Sequence, residues 1–393
     1  MSSRPPKVPL VNLSLQNQPL QTQIEQVIRE IIQRGDFILG QALTEFETAF
    51  AAASGVKYGV GVACGTDAIA LGLQAVGIHP GDEIILPANT FIATVIAVIQ
   101  AKAVPILVDC DPETALIDLT AAETAITSKT KAIIPVHLYG QMVSPTEILD
   151  LANRHDLIIF EDAAQAHLAE REGYRAGSFG KAAAFSFYPS KNLGCFGDGG
   201  MLITNDAEVA EKMRTLRNYG APSKYLHTEM GTNSRLDNLQ AAVLNVKLPY
   251  LEKWNRDRHE AAQYYNTLLE PLTPKGIVPI ANHSSTGHIY HLYVIKITEK
   301  SPLAKPVPTG GSPTKTIARN QLQEKLAQQG IQTGIHYPVP CHLQPAYQNL
   351  GNPGDFPHAE TLCQQILSLP MYPGLRNTEI EQVVRAIERS FDS

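Results

Sequence analysis

The sequence predicts an α/β fold built on a mostly parallel central sheet. Short apolar runs alternate with amphipathic helical patterns from residue 58 to residue 218. The runs are nearly continuous in apolar residues, which is typical of strands covered on both faces. Several runs end in polar residues. Because ligands of open α/β sheets bind beyond the carboxyl ends of the strands, we expect a functional site at that edge.

Each element is predicted from periodicity and from the residues that begin or end it. The predicted strands of the central sheet lie at 58–63, 83–87, 104–108, 131–135, 157–160, 182–187 and 201–203. The predicted helices around them lie at 22–34, 68–76, 92–101, 112–128, 144–155 and 206–218. Gly35 is expected to end the first of these helices. Another helix is predicted to begin at Thr44, with Glu47 completing a capping box.

The last part of the chain has longer helical patterns. We predict a helical segment at 238–270 with a break near Pro249, a strand at 288–297, and helices at 317–329, 356–367 and 377–390. A chain of 393 residues is long for one domain. We therefore expect a large domain over 1–250, with an extended N-terminal arm at 1–20, and a smaller domain over 251–393. The Pro-, Gly-, Ser- and Lys-rich stretch 299–315 is interpreted as a mobile surface insertion.

Composition narrows the class of protein. With 44% hydrophobic and 18% charged residues, the chain has the composition of a soluble globular protein. A formal net charge of −6 disfavours a nucleic-acid-binding surface. The five cysteines are far apart and form no CxxC pair, so we predict neither a disulfide framework nor a metal site. No window is long and apolar enough to span a bilayer, and the N-terminus lacks a signal-peptide core, so we expect a cytoplasmic protein with no membrane partner.

The residues that we expect to do chemistry lie at the ends of two neighbouring predicted strands. The run 157–160 ends in Glu161 and Asp162, and the run 182–187 is followed by Tyr188 and Lys191. A lysine amine can form an imine with an aldehyde cofactor, and a carboxylate facing the pyridinium nitrogen is its usual partner in pyridoxal 5'-phosphate (PLP) enzymes. A lone lysine is usually a solvated surface charge. Lys191 follows one predicted strand and Asp162 ends the neighbouring one. Together the two residues predict a PLP site.

Other candidates fit the rest of such a cofactor. Gln165 follows Asp162 by three residues and can hydrogen-bond the phenolic oxygen. Phe91 follows a predicted strand and can stack on the ring. Ser186, Thr66 and the backbone of Asp67 are candidates for the phosphate, because a helix N-terminus offers free N–H groups.

A dinucleotide fingerprint is the alternative interpretation of Gly59, Gly61 and Gly65. We disfavour it because the spacing is GxGxxxG and two of the glycines fall inside the predicted strand. The acidic residue that should end the second strand is also missing, since Asp82 and Glu83 precede the next apolar run.

Six segments resemble the DegT/StrS family of PLP-dependent nucleotide-sugar aminotransferases: CGTDAIAL, PANTFIAT, EDAAQAH, FSFYPSKNLGCFGDGG, GTNSRLDNLQAA and GIHYPVP. The resemblance extends over nearly the whole chain, from about residue 10 to residue 393. It implies the fold-type I aminotransferase architecture, with a large α/β domain and a small C-terminal α+β domain. It also implies a homodimer whose subunits share residues across each active site, with the loop 37–40 reaching the partner.

The resemblance assigns roles to individual positions. It makes Lys191 the Schiff-base lysine and proton shuttle, and Asp162 the partner of the pyridinium. The other cofactor contacts that it implies are Gly65, Thr66, Asp67, Phe91, Gln165, Ser186 and, from the neighbouring subunit, Asn233. We expect substrate contacts from His336 and Tyr188.

The resemblance also indicates a reaction. Relatives that dehydrate carry histidine in place of the lysine, so Lys191 favours transamination, with L-glutamate as the usual donor. The segments EDAAQAH and HLYGQ favour a 3-keto-6-deoxy sugar on dTDP as the acceptor, which would give a 3-amino sugar. A 4-keto sugar and a UDP-linked sugar remain open. So do a PLP-binding regulatory protein with little turnover and, least favoured, a PLP lyase or dehydratase.

Overall fold

The structure is a computed structural model that describes residues 7–304 and 318–391. The helices of these ranges are α1 (Leu13–Asn17), α2 (Gln21–Arg34), α3 (Gln41–Ala53), α4 (Gly65–Ala75), α5 (Ile92–Gln100), α6 (Leu119–Thr124), α7 (Pro145–His155), α8 (Ala207–Arg217), α9 (Asn238–Lys247), α10 (Leu251–Leu269), α11 (Ala318–Gln328), α12 (Pro357–Gln365) and α13 (Asn377–Arg389). The strands are β1 (Tyr58–Val62), β2 (Glu83–Pro87), β3 (Val104–Val108), β4 (Thr130–Ile133), β5 (Ile158–Asp162), β6 (Glu170–Arg171), β7 (Tyr174–Arg175), β8 (Ala182–Ser186), β9 (Gly200–Thr204), β10 (Ile277–Pro279), β11 (Tyr293–Ile297) and β12 (Ile366–Leu369).

The central sheet is mostly parallel, which confirms the predicted fold class. Its strand order in the described residues is β1-β9-β8-β5-β4-β2-β3. β9 alone runs against its neighbours, pairing antiparallel with both β1 and β8. A turn without a crossover helix joins β8 to β9, and such a connection returns the chain antiparallel, whereas the helices between the other strands allow parallel pairing.

The two faces of the sheet pack against different helices, as the period of two along each strand requires. Ala182 and Ala184 of β8 belong to the core cluster shared with α4, α5 and α7. Ala183 and Phe185 belong to the cluster on the opposite face, which includes α3 and α9. Both faces of β8 are therefore buried, and its polar residues are confined to its carboxyl end.

A second, smaller sheet of order β10-β11-β12 is antiparallel in both of its pairings. It shares a hydrophobic cluster with α10, α11 and α13. The N-terminal segment joins this cluster, because Val8 is fully buried in it and Lys7 N–H donates to the Gly330 carbonyl at 2.8 Å. The domain boundary near residue 250 stays a prediction.

The helix at 22–34 is confirmed as α2, which ends at Gly35 with a φ of 73°. The capping box at Thr44 is wrong. α3 begins at Gln41, after Gly40, so Thr44 lies inside the helix. Glu47 is buried and accepts a hydrogen bond from Gly61 N–H at 2.8 Å. A buried carboxylate needs such partners, and this requirement of the tertiary structure outweighs a local cap.

The prediction of one helix over 112–128 is also largely wrong. Only α6 is helical there, and it begins after Asp118, whose carboxylate accepts from the N–H groups of two residues in the first turn. Upstream, Asp111 Oδ1 accepts from Thr114 N–H at 2.7 Å and holds a turn. Asp side chains that bind the nearby backbone favour caps and turns over helix interiors.

Three further expectations differ in part from the structure. The extended arm at 1–20 is wrong for residues 13–20, which are helical, and residues 1–6 lie outside the described part of the chain. The strand at 288–297 begins only at Tyr293. Of the insertion at 299–315, residues 305–315 lie outside the described ranges, and Pro302–Ala304 forms a 3₁₀ turn. Across residues 7–304 and 318–391, no helix combines the length and apolarity needed to cross a membrane.

Candidate active site

A cavity of about 420 Å³ lies beyond the carboxyl ends of β1, β2, β4, β5 and β8. This is the edge at which the sequence predicts a site. Residues 336 and 337, which follow α11, also line it. The predicted site residues that line the cavity are Gly65, Thr66, Phe91, Asp162, Gln165, Ser186, Tyr188, Lys191 and His336.

Asp162 is a buried carboxylate at the end of β5, with 6% of its surface exposed. Its Oδ2 accepts from Thr94 Oγ1 at 2.8 Å, and its Oδ1 accepts from Ala164 N–H at 3.1 Å. Burial raises the pKa of Asp162, while the hydrogen bond from Thr94, the Ala164 N–H and the charge of Lys191 oppose the rise. A cationic group placed against Asp162 would therefore stabilise its charged form.

Lys191 lies in the turn after β8, where its N–H donates to the Tyr188 carbonyl at 2.9 Å. Burial lowers the pKa of its ammonium to about 8, and the negative charge of Asp162 opposes this change. Neutral amine is thus available at a pH far below the ordinary range of a lysine. A nucleophilic or proton-accepting lysine requires that neutral form.

The N-terminus of α4 forms one end of the cavity. Asp67 N–H donates to Cys64 Sγ at 3.5 Å, and Ala68 N–H donates to the Cys64 carbonyl at 3.1 Å. Gly65 and Thr66, which precede them in the first turn, line the cavity together with Ser186. A Cβ at Gly65 would lie 2.8 Å from the Ser186 Cβ, so only glycine allows this helix end to approach β8 so closely. The arrangement suits a phosphate.

Gln165 and Phe91 lie against a tyrosine that the sequence analysis does not single out. Gln165 Oε1 accepts from Tyr139 N–H at 2.7 Å, and its Nε2 donates to Tyr337 Oη at 3.2 Å. The rings of Phe91 and Tyr337 stack, with centroids 5.0 Å apart and planes at 29°. The amide of Gln165 is thus oriented by the protein, with its nitrogen on the cavity side.

The two predicted substrate contacts, His336 and Tyr188, both line the cavity. His336 Nδ1 lies 2.9 Å from Ser368 Oγ, and the His336 carbonyl accepts from Tyr139 Oη at 2.6 Å. Burial, followed by the charge of Lys191, lowers the pKa of His336 to about 4, so its imidazole is neutral at physiological pH. Tyr188 is 55% exposed.

Asp67 and Asn233 do not line the cavity. Asp67 Oδ2 accepts from Ser234 Oγ at 2.6 Å, which turns the carboxylate toward the segment that includes Asn233. Asn233 is exposed and forms an isolated bridge with Asn218. Its predicted role toward a neighbouring subunit stays a prediction.

Several residues of the cavity escape the sequence analysis. Thr94 follows Phe91 by three residues, and this helical spacing could have indicated that both face the same site. His291 also lines the cavity, but in the sequence it reads as an ordinary residue beside a strand. His167 does not line the cavity, but its Nε2 lies 2.9 Å from the carbonyl of Ser186, which does.

The residues present fit PLP. Asp162 has a raised pKa, and a protonated ring nitrogen would compensate its burial. The helix end at Gly65 and the hydroxyl of Ser186 suit the phosphate, and Lys191 has a lowered pKa in the same cavity. A carboxylate, an anion site and a lysine are the three groups that this cofactor needs.

Comparison with known proteins agrees with this geometry. The profile of the DegT/DnrJ/EryC1/StrS aminotransferase family matches residues 18–388. The chain is 43% identical to a pleiotropic regulatory protein of Geobacillus stearothermophilus over 381 residues, covering 97% of both chains. It is 42% identical to a dTDP-3-amino-3,4,6-trideoxy-alpha-D-glucose transaminase of Streptomyces venezuelae over 390 residues, covering 98% of this chain and 97% of the relative.

The fold is similar to that of a solved aminotransferase structure. The crystal structure of DesV from S. venezuelae superposes with a TM-score of 0.91 at 40% sequence identity. The alignment covers 99% of this chain and 100% of DesV. The mostly parallel central sheet and the small antiparallel sheet therefore belong to a fold shared with a solved structure.

Proposed function

The chain belongs to the DegT/DnrJ/EryC1/StrS aminotransferase family, and we propose that it transfers an amino group from L-glutamate to a nucleotide-linked keto-sugar. As a member of this family it is an aminotransferase that depends on PLP. The observation that carries the proposal is that Lys191 and Asp162 line one cavity, in which burial lowers the pKa of the lysine and raises that of the acid.

Different residues of the cavity would bind different parts of the cofactor. Asp162 would hold the ring nitrogen in its protonated form, with Thr94 Oγ1 and Ala164 N–H fixing the carboxylate. Gln165 would donate to the phenolic oxygen, and Phe91 would cover one face of the ring. The phosphate would be held by Gly65, Thr66 and Ser186, with Asp67 and a partner's Asn233 as further predicted contacts.

When bound, PLP supplies an electron sink for negative charge on the substrate carbon. Lys191 Nζ would hold the cofactor at rest and would move the proton during turnover. It accepts the α-proton of the amino donor in the first half-reaction and returns a proton to the sugar carbon in the second. An amine with a pKa of about 8 can accept and release a proton near neutral pH, as this role demands.

For the acceptor we propose a dTDP-3-keto-6-deoxyhexose, which would become a 3-amino sugar. The S. venezuelae relative, whose name is that of a dTDP-3-amino sugar transaminase, supports this choice. His336 and Tyr188, which both line the cavity, would contact the sugar nucleotide. A 4-keto or a UDP-linked sugar is the alternative acceptor.

A substrate panel tests this proposal. The holoenzyme is incubated with L-glutamate and with 3-keto and 4-keto sugars on dTDP and on UDP, and each sugar nucleotide is followed by mass spectrometry. We expect conversion of a ketone to an amine with the 3-keto-6-deoxy dTDP sugar. Conversion of only a 4-keto or UDP-linked sugar would correct the substrate, and conversion of none would contradict the proposal.

We also propose a cytoplasmic homodimer. Exposed apolar side chains support the dimer: Phe37, Ile38 and Leu39 are each more than 40% exposed, and Met230 is 86% exposed. The Phe37 carbonyl accepts from Asn238 N–H at 3.1 Å, which ties this loop to the segment containing Asn233. Exposed apolar groups of this size typically mark an interface. All five cysteines are unpaired, which suits a reducing compartment.

A regulatory protein with little turnover is the second candidate, favoured by the similarity to the G. stearothermophilus pleiotropic regulatory protein. A glutamate half-reaction separates the two candidates. An aminotransferase converts its bound cofactor from the aldehyde to the amine form when glutamate is added, and the absorbance changes accordingly. A protein that only binds the cofactor leaves the spectrum unchanged.

A further inference from the structure

The residue that follows Lys191 has a fully buried side chain that is bonded to two distant segments of the chain. Asn192 Nδ2 donates to Asn255 Oδ1 of α10 at 2.8 Å and to the Ile289 carbonyl at 3.2 Å. Asn192 Oδ1 lies 3.1 Å from His291 Nδ1. Both hydrogens of the amide nitrogen and the amide oxygen are therefore used in these contacts.

Backbone carbonyls fix the direction of each bond in this network. Asn255 Nδ2 donates to the His167 carbonyl at 2.9 Å, and since a carbonyl only accepts, Asn255 must present its Oδ1 to Asn192. The Ile289 carbonyl holds the nitrogen of Asn192 in the same way. Asn192 Oδ1 is thus left to accept from the Nδ1–H group of His291. A single arrangement of the three side chains satisfies all of these bonds.

The network also reaches the end of β8 and the N-terminal helix α1. His167 Nε2 lies 2.9 Å from the Ser186 carbonyl, to which it can only donate. The backbone carbonyl of Asn192 accepts from Gln16 Nε2 of α1 at 3.3 Å, and Gln16 is itself buried. The backbone next to Lys191 is therefore attached to helices at both ends of the described chain.

The turn that contains Lys191 depends on anchors outside itself. Within this turn, residues 188–191, the Lys191 N–H donates to the Tyr188 carbonyl at 2.9 Å, a bond that does not attach the turn to another element. Lys191 lines the cavity, and Asn192 does not. Removal of the Asn192 side chain would leave its buried partners unsatisfied, and this cost favours a shift of the backbone beside the turn.

We propose that Asn192 is a positioning residue, which holds the 188–191 turn against α10 and the 289–291 segment and so keeps the Lys191 amine inside the cavity. Asn192 acts through the backbone that it shares with Lys191 and touches no ligand. The inference deepens the proposed function, since it concerns the lysine that this function uses.

The pH dependence of Lys191 labelling tests the proposal. The full-length chain without cofactor is treated with an amine-reactive reagent, and the Lys191 peptide is followed by mass spectrometry. We expect Asn192→Ala to raise the midpoint by about one pH unit, because a released turn lets water reach the amine and water favours the ammonium.

Asn255→Ala removes one partner of Asn192 and should raise the Lys191 midpoint by less than Asn192→Ala does. Asn255 acts on Lys191 through Asn192, so the double variant should show the same midpoint as Asn192→Ala alone. Asn255→Ala leaves the Asn192 side chain in place, and it alone decides the proposal if Asn192→Ala does not fold.

Asn238→Ala is the matched control, because Asn238 is an equally buried amide that does not line the cavity. Its Oδ1 accepts from Leu43 N–H at 2.9 Å, and its Nδ2 donates to the Asp36 carbonyl at 2.6 Å. We expect this variant to lose stability, measured by thermal unfolding, while the Lys191 midpoint stays that of the original protein.

Three results would overturn the proposal: an unchanged midpoint in folded Asn192→Ala or, if that variant does not fold, in Asn255→Ala; an equal rise in Asn238→Ala; or a double variant whose rise is the sum of the two single ones. None of these measurements uses a sugar nucleotide or an amino donor. A failure of the proposed transamination would therefore be seen in the substrate panel and would leave these results interpretable.

Discussion

Burial lowers the pKa of Lys191 and raises that of Asp162, although the attraction between their opposite charges favours the charged form of both. Burial is the largest cause for both groups, lowering the pKa of the lysine to about 8 and raising that of the acid. Their attraction opposes both changes without cancelling them. Burial alone thus lowers the pKa of the amine and raises that of the acid before any ligand binds.

The first prediction concerns the pH at which Lys191 becomes reactive. Below its pKa the amine is an unreactive ammonium, and reactivity rises as the pH passes through that value. In the full-length chain without cofactor, we expect labelling of Lys191 to be half-maximal near pH 8. A midpoint for Lys191 near the ordinary value of a lysine, about 10.4, would contradict the buried environment.

The second prediction concerns the carboxylate. Asp162→Asn removes the charge that would favour the protonated ring, so kcat should fall by about 10²- to 10³-fold. Thr94→Val keeps the charge and removes one hydrogen bond to it, so we expect a loss of about tenfold. Steady-state kinetics of both variants with glutamate measure these effects. Near-normal kcat in Asp162→Asn would rule out the proposed role.

Sequence reasoning finds residues at strand ends and misses residues that only tertiary contacts bring to the site. Asp162 and Lys191 are recognisable because each follows a buried run. Thr94 is 68 positions from the carboxylate to which it donates, and nothing local to it indicates this partner. His291 Nδ1 lies 3.1 Å from Asn192 Oδ1, 99 positions away in the chain, and no periodicity connects these two residues.

At the scale of elements, the end of β8 and the start of α4 form a unit that only small residues permit. Gly65 and Ser186 approach so closely that an added methyl group would lie 2.8 Å from the serine Cβ. β8 has both faces buried, and His167 Nε2 lies 2.9 Å from the carbonyl of Ser186 at its end. Neither element can move aside easily, so the position of the anion site is fixed by packing.

The third prediction tests this packing. Gly65→Ala should weaken cofactor binding by at least about tenfold, because the methyl group displaces the helix end or the serine. Gly197→Ala is the matched control from the glycine-rich turn: the nearest atom to its Cβ is the flexible end of Gln240 at 3.1 Å, and residue 197 does not line the cavity. Equilibrium dialysis measures the affinity of each variant. Equal affinity in Gly65→Ala and the original protein would contradict the assignment of this site.

Elements with strong periodicity were predictable, and those that depend on buried polar partners were not. α2, α7 and α8 lie within a residue or two of their predicted ranges. α3 begins earlier than its capping signal because Glu47 binds Gly61 instead. The antiparallel direction of β9 follows from a connection without a helix, which the strand pattern alone does not reveal.

At the scale of the whole molecule, the cavity is formed by distant parts of the chain. His336 and Tyr337 line it from the segment between α11 and α12, and Tyr139 Oη donates to the His336 carbonyl from a position 197 residues earlier in the chain. The sequence resemblance indicated His336 as a site residue. Sequence reasoning does not single out Tyr337, because this residue lies in a proline-rich loop that has neither helical nor strand periodicity.

The fourth prediction tests the shared site in the proposed dimer. Lys191→Ala and Asn233→Ala should each be inactive at a cofactor concentration that the second variant cannot saturate. After mixing and subunit exchange, about a quarter of the original activity should return, because half of the dimers are mixed and each has one complete site. Mixing Lys191→Ala with Asp162→Asn is the control and should restore nothing, since both residues belong to the same subunit's site. No recovery in the first mixture would contradict the sharing.

The most direct measurement of the central claim is the position of the cofactor on the chain. The holoenzyme is reduced with borohydride, digested, and its lysine peptides are analysed by mass spectrometry. We predict a pyridoxyl group on Lys191 and none on Lys247, a buried lysine outside the cavity whose pKa burial also lowers to about 8. A pyridoxyl group on any other lysine, or on none, would contradict the assignment of Lys191.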